Sequence, residues 1–520
     1  MTGQIAPGQL KDMLHDGGEI ALLDIREAGR FIHGHLLYAV NLPASRLELM
    51  LPRLAPNPDV RSVLIDDGDG LAIRTAGRMI DMGYAAPMVL EGGNPAWKAA
   101  GYELFEGQNV PSKAFGEVVE HGNHTPSIPA EELLRMVEAG EDLVILDSRT
   151  PEEFNRMSIP GGASCPGAEL VYRLHAHAPN PDTTVVVNCA GRTRSIIGAQ
   201  SLINAGVGNR VVALRNGTMG WQLAGYELDH GRDPKLAELD AAALAAAEAR
   251  AALVRERYNV GRIDRETLEA WRTDRSRTTF LLDIRSLDDY LAGHVPGAHH
   301  APGGQLVQAT DEYVGVLGAR IVLTDDTEVR AVMSGHWLSQ MGWEVHVLAG
   351  GIGSGEVETG MPAIPPADGV QKITAADLKS RQTDLVVLDV SRDMAFRAEH
   401  IEGSVWWHRS RLSELTLADK PVCVVSEDGV LASYAARDLQ HYGFEDVTVL
   451  DGGLSAWTAA GYPTVSDPAV PADEDCLDFW FWVHDRHYGN ADAARYYLDW
   501  EIGLPAQIER DGDARYRLIV

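Results

Sequence analysis

Cysteine is scarce in this chain: Cys165, Cys189, Cys423 and Cys476 are the only four in 520 residues. They show no paired metal-ligand spacing, so neither a structural zinc site nor a disulfide framework is expected. Positive charge is also short, with 45 Lys and Arg against 75 Asp and Glu for a formal net charge of -30. That balance argues against a nucleic acid or an anionic membrane surface as partner. An anionic substrate has to be held by local donors against an unfavourable global field. No apolar run approaches the ~20 residues of a membrane span, and the opening Met-Thr-Gly-Gln-Ile-Ala-Pro has no basic stretch leading into an apolar one. Cytoplasmic residence with reduced thiols is the expectation. A dinucleotide glycine fingerprint and a phosphate loop are both missing, so no organic cofactor is expected.

The chain is too long for one hydrophobic core and should divide into about three to five domains of roughly 100–150 residues. Internal similarity shows how. Four times a short apolar strand ends in Asp, at Asp24, Asp147, Asp283 and Asp389. A short polar helix follows each, then a Gly-containing turn such as His33-Gly34-His35-Leu36 or Ile159-Pro160-Gly161-Gly162. Second apolar strands come later, at 62–65, 184–187, 320–323 and 422–425. Three units close alike, on Gly92-Gly93 with Trp97, Gly217 with Trp221, and Gly452-Gly453 with Trp457, each followed by Ala-Gly-Tyr; the third keeps only Ala349-Gly350-Gly351.

Continuous Val/Ile/Leu strands alternating with helical stretches read as parallel sheets covered on both faces, an α/β class. The repeats place four units at 1–110, 124–232, 262–365 and 370–468. Between the second and third, 236–260 is Ala-rich without Gly or Pro, which predicts a helical linker within 233–261. The extension over 469–520 carries Phe479-Trp480-Phe481-Trp482 and, later, Tyr496, Tyr497 and Trp500. So many aromatics need burial, so the tail is expected to pack back on a domain or on a second subunit.

The segment Cys189-Ala190-Gly191-Arg192-Thr193-Arg194-Ser195 stands alone among the repeats. A strand that stops at a cysteine and turns through small and basic residues into a helix builds an anion cradle around a sulfur. Peptide N–H groups, the helix start, Arg192 and Arg194 would all favour the thiolate, the form that attacks. At the matching position the other units offer carboxylates at or beside Asp67, Asp325 and Glu427, which cannot carry a sulfur. These three units are therefore expected to be inactive.

The ordered set Asp147-Ser148-Arg149, Glu152-Glu153-Phe154, Ile159 to Gly162, Cys189 to Arg194 and Gly217 to Trp221 resembles the rhodanese (sulfurtransferase) family, and the resemblance covers nearly the whole chain in four tandem copies. It implies a sulfane sulfur moved from thiosulfate or a low-molecular-weight persulfide to a thiol or cyanide, by way of a persulfide on Cys189. Ala190, Gly191, Arg192, Thr193, Arg194 and Ser195 would bind the substrate, with Gly191 and Thr193 N–H groups completing the cradle. Arg173 could clamp a donor's sulfonate or carboxylate through paired hydrogen bonds. Four residues between Cys189 and Arg194 make a ring one residue shorter than the Cys-x5-Arg loop of cysteine phosphatases, which suits a sulfur better than a tetrahedral oxyanion.

Other residues carry weaker signals. Cys165 is a candidate resolving thiol and Cys476 a candidate acceptor, while Cys423 reads as core. The recurring His33, His35, His294 and His400 suggest a structural hydrogen bond rather than a metal site, and His484 with His487 has helical metal-pair spacing. The alternative to an enzyme is an interaction scaffold or persulfide sensor with little turnover, its inactive units holding a protein partner. The tail admits a homodimer.

Overall fold

The computed structural model describes residues 3–486 and 489–520. It contains four five-stranded parallel sheets, each with the strand order 1-5-4-2-3 counted along its own unit. The central pair is the same each time. In the second unit Leu143–Asp147 runs beside Thr184–Asn188, pairing Leu143 with Thr184 and Asp147 with Asn188. All five residues of Thr184–Asn188 are buried, as a strand covered by helices on both faces requires.

The recurrent strand-ending aspartate has a structural task. Arg149 donates from Nε and Nη2 to Asp147 at 2.9 and 2.7 Å, and on to the Met157 carbonyl at 2.6 Å. Arg26 and Arg285 repeat this clamp on Asp24 and Asp283. Each ties a strand end to the turn after the next helix. The fourth unit has Ser391 in that place, and Asp389, buried without a guanidinium, is pushed up to about 6 by desolvation. Three of the recurring histidines stack on an aromatic ring four residues earlier, with centroids 4.0 Å apart for Phe31 and His35, 3.9 Å for Tyr290 and His294, and 3.8 Å for Phe396 and His400, while His33 is exposed. His294 and His400 also bond the carbonyl of that aromatic residue.

Two helices join the first three units into one core, while the fourth keeps its own. The Ala-rich segment forms the helix Ala241–Arg257, whose Ala243, Ala247, Ala251 and Val254 are buried on one stripe. It packs on the helices Glu169–His177 and Val329–Gln340 of the second and third units, so the helical linker expected here wedges between the two units it connects. A second helix, Val110–Asn123, lies between the first two units; the sequence reading left residues 111–123 without an element.

The first and fourth units are pinned together by a buried ion cluster. Glu48 accepts from Arg409 at 2.7 and 3.1 Å and from Arg78 at 2.7 Å, while Arg409 Nε also reaches Asp438 at 2.8 Å. Burial resists ionisation of Glu48, but Arg409 and Arg78 outweigh it and hold the carboxyl at about 2, against an ordinary 4.5. A depressed carboxyl stabilises the fold above its ordinary value, and that contribution disappears as pH falls from there through about 2. Glu48→Gln is therefore expected to cost about 3 kcal/mol at neutral pH. The difference from the parent should vanish toward pH 2 in denaturant titrations run across pH. Among the described residues no helix is long and apolar enough to cross a membrane.

Candidate active site

Strand Thr184–Asn188 delivers Cys189 to its carboxyl end, and helix Thr193–Asn204 starts four residues later. The turn is locked from below. The Cys189 carbonyl accepts from Thr218 N at 2.8 Å and that of Ala190 from Met219 N at 3.0 Å. Gly217 makes this approach feasible, because a Cβ there would stand 2.1 Å from the Cys189 oxygen at a φ of +52°. The sulfur lies 3.1 Å from Ser195 Oγ, and the Ser195 backbone N–H also reaches it.

The other three units show what this cradle is built to hold. Ladder register and closing-turn contacts put Asp66, Asp325 and Ser426 in the place of Cys189. Asp67 and Glu427, expected at or beside this position, lie beside it, one residue further on, and Asp325 occupies it. Each replacement turns its own side chain into the loop. Asp66 accepts from the N–H of Gly68 and of Ala72, both at 2.9 Å. Asp325 accepts from Glu328 N at 2.5 Å and Arg330 N at 2.9 Å, and Ser426 Oγ from Ala432 N at 3.1 Å. Ala72, Ala432 and Ser195 sit six residues past Asp66, Ser426 and Cys189, so the N–H that meets an oxygen in those units meets the sulfur in the second. Three cradles are filled by an internal oxygen, and one is left to a thiol.

Arg192 and Arg194 are not open anion hooks, which corrects that expectation. Arg192 pairs with Glu117 through Nε at 2.6 Å and Nη2 at 2.8 Å, and also bonds Glu120. Arg194 pairs with Glu153 at 2.6 and 2.8 Å and reaches Gln305 of the third unit at 3.2 Å. Both guanidiniums are taken up by carboxylates, and Arg194 still favours the thiolate through its charge. Arg173 turns away from the Cys189 cavity, to Glu169 at 2.6 Å and to the Ala237 carbonyl.

A lid comes from the tail. Helix Ala491–Asp511 lies over the loop, and Ala190, Met219, Ala494, Tyr497 and Leu498 form one apolar cluster. Gly191 permits the close approach: a methyl there would come within 2.8 Å of Met219 Cε and 3.2 Å of the Tyr497 ring. Glu501 accepts from Thr193 Oγ1 at 2.8 Å and is 1% exposed. Burial pushes the Cys189 thiol up; Arg194 and the Ser195 hydrogen bonds oppose this, and Glu501 adds to it. Lys113, from the unforeseen helix, is buried in the same cavity and pushed down to about 7 by desolvation and by Arg486. The cavity around the sulfur measures about 300 Å3.

Glu117, Glu120, Glu501, Lys113 and Gln305 were not singled out in the sequence, and Tyr497 stood out only as one of the tail aromatics in need of burial. The one local hint was Glu117 and Glu120 three apart on a helix-compatible segment. The remaining candidates fall elsewhere. Cys165 is fully buried, held well above the ordinary thiol value, and outside the wall of this cavity. Cys423 is buried in its strand and Cys476 is half-buried, pushed up by desolvation to about 12 and about 11. His487 lies outside the described residues. Among those described, Asp393, His408 and Asp478 bring three donor atoms within 4.8 Å of one another. The two aspartates are already bonded to each other's backbone amides.

The family model described as Rhodanese-like domain matches four segments, 6–100, 129–224, 264–355 and 374–460. A crystal structure of a thiosulfate sulfurtransferase from Pseudomonas aeruginosa is 42% identical, covers 100% of both chains and superposes with a TM-score of 0.94. Thiosulfate sulfurtransferase GlpE of Pseudoalteromonas translucida is 34% identical over 80 residues, 15% of this chain and 76% of that protein. An HTH-type transcriptional regulator of Mycobacterium tuberculosis is 34% identical over 110 residues, 21% of this chain and about half, 47%, of its own length. With its four sheets of one strand order and four matched segments, the chain belongs to the rhodanese-like domain family.

Proposed function

We propose that the chain is a sulfurtransferase whose single carrier is Cys189, and that its other three units are catalytically silent. The observation that carries this reading is the cradle comparison: the position that holds a hydrogen-bonded oxygen in three units holds a thiol in the second. In the first half-reaction the Cys189 thiolate attacks the donor's sulfane sulfur. The donor's S–S bond breaks, and its electron pair leaves as sulfite from thiosulfate or as a thiolate from a persulfide. In the second, an acceptor thiolate attacks the outer sulfur of the Cys189 persulfide, and the pair of the broken bond returns to Cys189. Ser195, its N–H and the charge on Arg194 stabilise the anionic sulfur in both.

The local charge favours a persulfide donor over thiosulfate. Arg192, Arg194, Lys113 and Arg486 face Glu117, Glu120, Glu153 and Glu501 around the sulfur. These formal charges balance, so a dianion gains little there, whereas a singly charged or neutral sulfur end loses little.

Intact mass of the reduced protein before and after glutathione persulfide, and separately thiosulfate, tests the reading. The expected result is a gain of one sulfur, about 32 Da, at Cys189 that added thiol discharges. The persulfide should load faster. Loading at another cysteine would overturn the carrier assignment. A single slow adduct without discharge would favour the persulfide-sensor reading.

A further inference from the structure

A second cavity of about 560 Å3 adjoins the one around Cys189, and the two share Gln108, Asn109, Arg156 and Glu312 in their walls. Its lining is drawn from distant parts of the chain. Phe31 and Arg46 come from the first unit, Arg156 from the second, Arg392 from the fourth, and Phe479 and Trp480 from the tail. The silent units and the extension thus complete a chamber that the second unit alone lacks.

The charges in this chamber are unusual for the molecule. Carboxylates exceed cations, 75 to 45, and the guanidiniums of Arg192, Arg194, Arg330 and Arg409 are all taken up by them. Arg46, Arg156 and Arg392 line the chamber with no ion pair or side-chain hydrogen bond among the described residues. Arg46 is also held down by burial and by the like charge of Arg392, against Asp478, Glu27 and Glu427.

The acids in the wall are, by contrast, engaged. Glu27 accepts from Ser45 Oγ at 3.0 Å and faces His408 at 3.5 Å. Asp478 accepts from the Asp393 amide at 3.3 Å, and Asn109 Nδ2 donates to Asp311 at 3.1 Å and to Glu312 at 3.0 Å. The wall's formal charges balance, with Arg53 as a fourth guanidinium against Glu27, Asp311, Glu312 and Asp478, but Arg46, Arg156 and Arg392 keep their donors free of a hydrogen-bonded partner among the described residues, and a guanidinium in that state can pair with a carboxylate in two-pronged fashion. Pockets of ~300–1,000 Å3 hold ligands of several hundred daltons, far larger than thiosulfate.

We infer that this chamber binds the body of a peptide-like thiol or persulfide bearing at least two carboxylates, with its sulfur end passing Asn109 and Arg156 to Cys189. Arg46 and Arg392 take the carboxylates, and Phe31, Phe479 and Trp480 cover the apolar part of the chain. The inference rests on Cys189 being the sulfur carrier and names the substrate class for it.

Two measurements on the full-length protein test it. The first is the ratio of kcat/KM for glutathione persulfide to that for the uncharged persulfide of 2-mercaptoethanol. Arg46→Gln and Arg392→Gln should each lower this ratio at least tenfold, mostly through KM, while the exposed tail variant Arg495→Gln should not. The second is calorimetric titration of S-methylglutathione, which cannot react, into Cys189→Ser. Saturable one-to-one binding is expected, weakened at least tenfold when Arg46→Gln and Arg392→Gln are added. Unchanged ratios together with no S-methylglutathione binding would overturn the chamber assignment and leave the carrier standing. Failure of every donor to load Cys189 would overturn the carrier instead.

Discussion

Cys189→Ser is expected to lose sulfur transfer by about 10^4-fold or more, the scale on which a covalent nucleophile is missed when removed. Folding should hardly change. The serine hydroxyl takes the place of a thiol 3.1 Å from Ser195 Oγ, keeps a hydrogen-bond partner, and shifts stability by about 1 kcal/mol at most. Transfer rates, intact mass and a denaturation midpoint measured together decide the matter; retained transfer would mean that another cysteine is the carrier. The same thiol sets the pH dependence of the parent protein. Burial and Glu501 push it up, against Arg194 and Ser195, and a thiol gains its reactive anion as pH rises. Loading should therefore keep rising with pH beyond the value at which an ordinary cysteine levels off. Glu501→Gln removes one of the charges that raise the thiol, so it should move this profile toward lower pH.

Gly217→Ala should be the most damaging substitution of a single hydrogen by a methyl at the site. The added Cβ would stand 2.1 Å from the Cys189 carbonyl oxygen and 2.8 Å from its carbon, at a φ of +52°. These are backbone atoms that cannot rotate aside. Strain at a left-handed non-glycine position and overpacking cost about 1–3 kcal/mol each, so a loss of about 4 kcal/mol is expected, together with a displaced sulfur and at least tenfold slower loading. Gly453 plays the same part in the fourth unit, where a Cβ would meet the Ser426 carbonyl at 2.1 Å. Gly453→Ala should lower stability comparably while loading at Cys189 persists. Denaturant midpoints and loading rates of the two variants compare them. Equal losses of loading would show that the site depends on global stability and not on this local contact.

What could be read from residues alone was whatever repeats or alternates over short spans. The Val- and Leu-rich strands, the Asp that ends each first strand, the Gly-containing turns and the Ala-rich helix are local patterns, and each lies where its pattern put it. The alignment could put Asp67 and Glu427 only at or beside the nucleophile position because acidic loops contain several equivalent carboxylates, and only the ladder opposite Asp24 and Asp389 fixes which residue comes first. The partners of the cradle were beyond reach for a different reason. Arg192 meets Glu117 across 75 residues, Arg194 meets Gln305 across 111, and Thr193 meets Glu501 across 308. No periodicity encodes such pairings. A basic loop in an acidic chain looks like an anion hook until the carboxylates that fold onto it are placed.

The lid over Cys189 has a consequence for the order in which the molecule is made. Residue 501 leaves the ribosome 282 residues after Met219, the later of the two residues whose amides lock the thiol loop from below. At ~5–20 residues per second the second unit waits roughly 14 to 56 seconds with that loop closed and uncovered. During that interval Ala190 and Met219 lack their apolar cover, and Glu501 is not yet there to discourage the thiolate. The newborn unit is thus more open to oxidants and persulfides than the finished protein, and translation speed sets how long that window lasts.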